Sequence, residues 1–390
     1  MTYSPARIGA ALAAALAAVL ALSTPSPAGA PDPWVRAWGL NSAGQLGNGS
    51  LLDQSTPSSV TGLARDSVRE IAGGGGNNGN PFAVAVLNDG TVQSWGSNSN
   101  GQLGDGTTVN RPFPAAVSGL SGVTDVAAGV NFAVAVRAGR VLAWGAAGAG
   151  QLGDGTVGDQ ATTRPVRVQS LSGVTDAASG CYHTVALRAD GTVWTWGMND
   201  EGQLGIGSTT NRSTPQRVPG LTDVVAVTAG CRHSLALTAQ GTVKAWGRNV
   251  DGQLGDDSTT PRSSPVDVVH LQDVAAVFSG GYHNLALLDD GGVRAWGGNW
   301  AGQLGDGSTV KRTTPVPVTG LGEVRSLAGG YDHTLAVLAD QSVTAWGDNR
   351  SGQLGDGTTD SSRGPVLALP PGSGTTRVTT STVWRTSYAY

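Results

Sequence analysis

Apolar and polar residues alternate along most of this chain in runs too short for helices. DVVAVTAG (Asp223–Gly230), HSLAL (His233–Leu237) and TVKAW (Thr242–Trp246) each show this period of two, which places successive side chains on opposite faces of a strand. TPQRV (Thr214–Val218) lies just ahead and reads as one more short extended segment. AQG separates the last two strands as a tight turn, and its counterparts Asn88–Gly90 and Ala189–Gly191 carry the Asp-Gly signal of a two-residue hairpin. At Ala339-Asp340-Gln341 the glycine is missing. Four short antiparallel strands are therefore expected per unit, in the order TPQRV, DVVAVTAG, HSLAL, TVKAW.

The unit recurs. GQLG begins at Gly44, Gly101, Gly150, Gly202, Gly252, Gly302 and Gly352, and a Trp-Gly pair lies six residues before each, at Trp38, Trp95, Trp144, Trp196, Trp246, Trp296 and Trp346. The tryptophans step by 57, 49, 52, 50, 50 and 50 residues. Four strands in a period near 50 describe one propeller blade. The expected fold is all-β, a seven-bladed β-propeller of four-stranded antiparallel blades. WVRAW is all that precedes the first Trp-Gly, and RVTTSTVWRTSYAY ends the chain. Aligned on AVTAGCRHSLAL, that ending puts Val378 on Val227, Ser381 on Gly230 and Trp384 on His233. The last blade is thus expected to take its inner strands from the C-terminus and its fourth from the N-terminus, a clasp that leaves no open sheet edge. LPPGSGTT (Leu369–Thr376) reads as the loop leading into it.

Composition agrees. Sixty glycines, three glutamates and two lysines in 390 residues make poor helices, since glycine costs about 1 kcal/mol per helical position relative to alanine. The net charge of −4 and the lack of a basic run speak against nucleic-acid binding. Arg7, the apolar run Ile8–Leu22 and the Ser/Pro/Ala stretch after it have the layout of a secretory signal peptide. Cleavage is expected after Ala28, with Ala30 the alternative, leaving residues 34–390 as one propeller domain of a secreted chain. No later stretch reaches membrane length. An Arg-rich, Lys-poor, Ala/Gly-rich composition suggests a GC-rich bacterial genome.

W-G-x-N-x-x-G-Q-L-G-D-G, then T-P, then G-x-x-H-[TS]-[LV]-A-L, resembles the repeat of the regulator of chromosome condensation family. The likeness runs from about Val35 to Tyr390 and implies a seven-bladed propeller. It is far less specific for activity, because the scaffold carries unrelated functions. Departures are Ala147 in the Asn slot, Phe82 and Phe132 in the His slot, Asn48 and Ile206 in the Asp slot, and Asp257 for the last glycine. The first inter-repeat segment bulges as GGGGNNGN (Gly73–Asn80).

The same motif weighs the candidate chemistry. A G-x-x-G-x-G run beside Asp and Ser, as in WGGNWAGQLGDGST (Trp296–Thr309), imitates a phosphate cradle. Seven copies without a lysine call instead for a shared turn, with Asp105, Asp154, Asp256, Asp306 and Asp356 as Asx-turn residues. The seven repeat tryptophans are expected between blades. His183, His233, His283 and His333, 50 apart, suggest a metal ring. They sit on separate blades, however, and are expected as packed imidazoles bonded to backbone within each blade. His270 falls outside the pattern, in a surface loop. Cys181 and Cys231 are either a disulfide or two small buried side chains. No catalytic constellation, metal site or cofactor site emerges.

Positions that differ between copies are left as candidates for binding. Met198, Asp200, Glu201, Arg248, Asp251, Trp300, Asp348 and Arg350 vary inside W-G-x-N-x-x-G, and Tyr182, Arg232, Tyr282, Tyr331 and Asp332 vary inside G-x-x-H. Tyr, Trp and Arg dominate interface hot spots. The expected function is that of a monomeric, non-catalytic scaffold binding a protein or cell-wall glycan through its loops. The resemblance implies two alternatives, a guanine-nucleotide exchange factor for a small GTPase and an inhibitor like the β-lactamase-inhibiting propellers. A light sensor like the plant ultraviolet-B photoreceptor would want Trp in the slot that here holds Cys, Tyr, Gly and Val.

Overall fold

The computed structural model describes residues 35–63, 66–75, 80–158 and 161–390. The expected signal peptide and both cleavage sites lie outside them, as does much of the Gly73–Asn80 bulge. Twenty-eight strands form seven four-stranded antiparallel sheets, and no helix occurs among the described residues. The fourth blade shows the pattern. Val224–Ala229 is innermost, followed outward by His233–Thr238, Val243–Gly247 and Arg262–Asp267. The innermost strands of all seven blades touch in a closed circle around the propeller axis.

This order shifts the sequence-based unit by one strand. All of the TPQRV segment but Val218 lies in Arg212–Arg217, which pairs with Val193–Gly197 as the outermost strand of the third blade, not the first strand of the fourth. GQLGDG therefore joins the third strand to the outermost one. The closing blade changes accordingly. It combines Val378–Thr380 and Thr386–Ala389 with Arg36–Gly39 and Gln54–Ser59. The N-terminal segment contributes two strands to this blade, where the sequence suggested one.

The end-to-end alignment also needs one correction. Val378 pairs with Ala389 as Val227 does with Ala236, and the Ser381 amide bonds to Thr386 as that of Gly230 does to His233. The turn that follows Ser381 is two residues longer than its counterparts, so Thr386, opposite Gly39, occupies the His slot in place of Trp384.

Apolar side chains of adjacent blades meet face to face. Leu235, Leu237, Val243 and Ala245 of the fourth blade pack on Val274, Val277, Ala286 and Trp296 of the fifth. All seven repeat tryptophans are fully buried at such junctions, each removing about 150–250 Å² of aromatic surface from water. Each indole also donates to the carbonyl of the GQLG glutamine in the preceding blade, as Trp246 does to Gln203 and Trp296 to Gln253, at 2.9 and 3.0 Å. The glycine two residues on permits this fit. Gly305 has φ +66°, and a Cβ there would lie 2.8 Å from the Trp346 indole nitrogen.

The loops are satisfied from within. Asn299 takes the Leu304 amide on its Oδ1 and donates to Asp306, Ser308 and Val310, while Asp306 accepts from Ser308 and pairs with Arg312. Those groups would be the ones to hold an anion, so the glycine-rich motif is a structural turn.

The histidines correct the expectation of bonding within one blade. Nε2 of His183, His233, His283 and His333 bonds Ser234, Asn284, Thr334 and Ser387 of the next blade, at 2.8 to 2.9 Å. Ser234 passes its own proton to the carbonyl of Gln203, which Trp246 also reaches. Its oxygen is therefore the acceptor, and His183 is the Nε2–H tautomer. His270 is exposed in a turn, as expected.

Candidate partner-binding face

In every blade the turn from innermost to second strand and the loop from third to outermost strand leave the same end of the sheet. Ala229 opposes Ser234 and His233 opposes Gly247 there. The two sets of variable positions therefore share one face of the ring.

Across the third to seventh blades they form a continuous belt. Arg232 pairs with Asp200 at 2.8 Å, and Arg248 with Glu201 at 3.1 Å. The Arg248 guanidinium lies 5.8 Å from the Tyr282 ring centre, within cation–π range. Tyr282 meets Trp300 at 5.5 Å and Tyr331 at 5.4 Å, both edge-on, as ring quadrupoles prefer. Asp348 takes Arg350 and the seventh blade's Arg385, each at 2.7 Å. Tyr182 stands at the far end, beside a cleft of about 400 Å³ that Ala147, Gly148 and Met198 also line.

Two candidates have roles that the sequence did not suggest. Asp332 is 3 % exposed and lies beside Trp300, so it supports the belt from below without reaching a partner. Burial lifts its pKa to about 6. Trp300, 47 % exposed, is held in place as well: its ring occupies the space a Cβ at Gly298 would need. Burial, with Tyr282 beside it, raises the Tyr331 phenol, and burial raises that of Tyr182. Burial opposes the Asp348 charge, but Arg350 and Arg385 hold its pKa below the usual carboxylate range.

At the centre of this face the G-x-x-H turns close on one another. The Val130 amide bonds to Cys181, Cys181 to Cys231 and Cys231 to Gly281. Cys181 and Cys231 form a disulfide between the third and fourth blades, with Cα atoms 4.4 Å apart, at the near end of the bridgeable range. Val383, from the lengthened turn of the closing blade, packs on both cysteines and on Val130.

One group of residues went unnoticed in the sequence. Glu70, Asp125 and Asp176 follow the same bulge in the innermost strands of three successive blades, where the fourth has Ala226. Asp125 accepts the Ala177 amide of the next blade at 2.8 Å, and Glu70 and Asp176 lie against Val126 and Val227 of the blades that follow them. Desolvation raises Glu70 to about 7 and Asp176 to about 6, and Asp125, hydrogen-bonded to Glu70, rises well above the carboxylate norm. The signal was present in GVTDVAAG and GVTDAASG, whose Asp stands where other copies have Ala or Ser. Among the described residues no group of three or more His, Cys, Asp or Glu is placed to hold a metal ion. None of the described helices is long and apolar enough to cross a membrane, since there are none.

Seven blades, tryptophan joints and a two-ended closing blade define a ring-closed β-propeller, four of whose blades carry the G-x-x-H turn. The chain belongs to the RCC1-like domain family, whose signature matches residues 34–388. It is similar to the human E3 ubiquitin-protein ligase HERC2, 36 % identical over 176 residues that make up 44 % of this chain and 4 % of that one. It is also similar to the ultraviolet-B receptor UVR8 of Arabidopsis thaliana, 32 % identical over 178 residues, 44 % of this chain and 39 % of that one. The chain thus spans well under two thirds of either relative. Human WBSCR16 shares the fold with a TM-score of 0.79 at 24 % identity, covering 91 % of this chain and 98 % of that one. Prp20p of Saccharomyces cerevisiae does so with a TM-score of 0.79 at 23 % identity, covering 91 % and 90 %.

Proposed function

We propose that this protein is a secreted, non-catalytic propeller that docks another protein on the face carrying the belt. One observation carries the reading: Tyr282, Trp300 and Tyr331 touch one another, with Arg248 against Tyr282, at positions the repeat leaves free to vary. Aromatic anchors ringed by paired charges have the make-up of an interface centre. Family members offer support, since the solved structure of Prp20p is described with its binding to Gsp1p and histones. Secretion rests on the layout of residues 1–30.

Two measurements test this. Protein recovered from culture medium should begin at Gly29 or Pro31, and a chain retained in the cell with residue 1 intact would reject secretion. In a pulldown of secreted proteins, changing Tyr182, Tyr282 and Tyr331 together to Ala should abolish capture, while Asp289→Ala on the opposite face should not. Capture by a folded triple variant at the level of the parent would reject this face.

A further inference from the structure

Along the belt, between the fifth and sixth blades, opens a cleft of about 410 Å³ lined by Trp300, Thr309, Asp348, Arg350, Ser361 and Arg363. Its volume lies in the range of small-molecule sites, but its wall is unlike an apolar pocket. The Trp300 indole and Ala301 supply the apolar surface, and hydroxyls and guanidinium groups supply most of the remainder.

The state of each group narrows the ligand. Asp348 is saturated by Arg350, Arg385 and the Gln353 amide, so it is not free to attract a cation. Arg363 is exposed, and its guanidinium has no hydrogen bond or ion pair among the described residues, so the uncompensated charge of the cleft is positive. Trp300 is held by Tyr282 and by the gap at Gly298, and it presents its ring without first having to be ordered. A flat apolar plane beside hydroxyls suits the C–H face of a sugar, whose own hydroxyls can pair with Thr309, Ser361 and Arg350. An unpaired guanidinium fork suits a carboxylate or phosphate. A polynucleotide would also stack and carry charge, but the lysine-poor chain with net charge −4 offers no track for a backbone.

We propose that this cleft binds an acidic sugar, with the ring stacked on Trp300 and its anionic group held by Arg363. The proposal rests on the reading of this face as a binding surface and adds a second class of ligand to it.

The test uses the whole secreted chain with four probes: trigalacturonate, glucose 6-phosphate, maltotriose and GTP. Binding is followed by calorimetry and by tryptophan fluorescence, to which Trp300 contributes the one indole among the described residues that is exposed. At least one acidic sugar should bind and perturb the fluorescence, with maltotriose at least about tenfold weaker. Trigalacturonate and glucose 6-phosphate separate a carboxylate preference from a phosphate preference. Arg363→Ala should weaken the acidic sugar about ten- to a hundredfold, the worth of a charge-assisted bond, and leave maltotriose unchanged. Trp300→Ala should remove the fluorescence response. Arg363 is exposed, so Arg363→Ala should melt like the parent; Trp300→Ala also loses packing on Tyr282 and Gly298, so its fold is checked by circular dichroism before binding is read. The proposal is overturned if neither acidic sugar binds at about 10 mM, a regime that still detects millimolar affinity. It is equally overturned if binding survives both substitutions, or if GTP is preferred. Arg363→Ala should retain protein capture, so the two readings fail separately.

Discussion

Trp38 donates its indole N–H to the carbonyl of Gln353 at 2.9 Å, across 315 residues of sequence. The same bond joins Trp246 to Gln203 at 2.9 Å across 43 residues. The chain ends are therefore held by the joint used between every other pair of blades. Ser387 reinforces it, donating to the Gln353 carbonyl and bonding His333.

Removing this joint should open the ring. Trp38→Ala deletes a fully buried indole and should cost roughly 3–5 kcal/mol, measured by urea unfolding. Trp38→Phe keeps most of the ring and loses the donor, and should cost less. Trp246→Ala should cost about as much as Trp38→Ala but leave the chain ends joined. Hydrogen exchange in Thr386–Ala389 should therefore rise in the Trp38 variant alone. Equal exchange in the two variants would show that the ends do not depend on this joint.

The disulfide predicts a second, independent loss. Cys181–Cys231 closes a loop of 50 residues, for which chain-entropy arguments give about 4 kcal/mol, with about 2–4 kcal/mol typical in practice. Reduction, or Cys181→Ala with Cys231→Ala, should lower stability by that order. The Val130–Cys181–Cys231–Gly281 backbone bonds remain, so the fold should survive with β-sheet circular dichroism unchanged. Thiol titration of the unfolded, unreduced protein should find no free cysteine, and two free thiols would refute the bridge.

The number of blades, their contents and the buried tryptophans were legible because a period near 50 repeats seven times and each copy carries the same alternation. Blade boundaries were less legible. A strand that leaves one sheet and a strand that enters the next look alike in sequence, so TPQRV fits either neighbour. Two extra residues follow Ser381, so the His slot of the closing blade is set by pairing with Arg36–Gly39 and is invisible to alignment. The face was legible as variability. The burial of Asp332 was not, because it depends on Trp300 folding back over Gly298 from the adjacent blade. Glu70, Asp125 and Asp176 are hidden for a related reason. They lie about 50 residues apart in sequence and come together only when adjacent blades pack.

The histidines make an acid-side prediction. Burial, aided for His183 and His283 by neighbouring imidazoles, lowers His183 and His283 to about 3 and His233 and His333 to about 4, from 6.5 in the unfolded chain. Between those values the unfolded state binds the extra protons, so stability is fully present above 6.5 and is lost as pH falls toward 3 to 4. Phe82 and Phe132 fill the same slot in the first two blades, so His283→Phe should fold. Its unfolding free energy should fall less steeply on acidification than that of the parent. Parallel curves for the two proteins below pH 6.5 would mean that His283 is not held neutral.

The shaft-side carboxylates predict the opposite slope. Their folded pKa values are raised, Glu70 from 4.5 to about 7 and Asp176 from 3.8 to about 6, because desolvation penalises the charge. Between the unfolded and folded values the native state holds the extra protons. Their contribution is thus fully present below about 4 and is lost as pH rises toward 7. Glu70→Gln keeps the shape of the side chain and a donor for Asp125 without a titrating proton. The variant should therefore lose less stability than the parent between 4.5 and about 7. Asp176→Asn should behave likewise over a window ending near 6. The His283→Phe and Glu70→Gln difference curves, taken by urea unfolding across this range, should tilt in opposite directions. A Glu70→Gln curve that tracks the parent throughout would show that no proton is shared between Glu70 and Asp125, and that the two carboxylates are screened from one another in the folded ring.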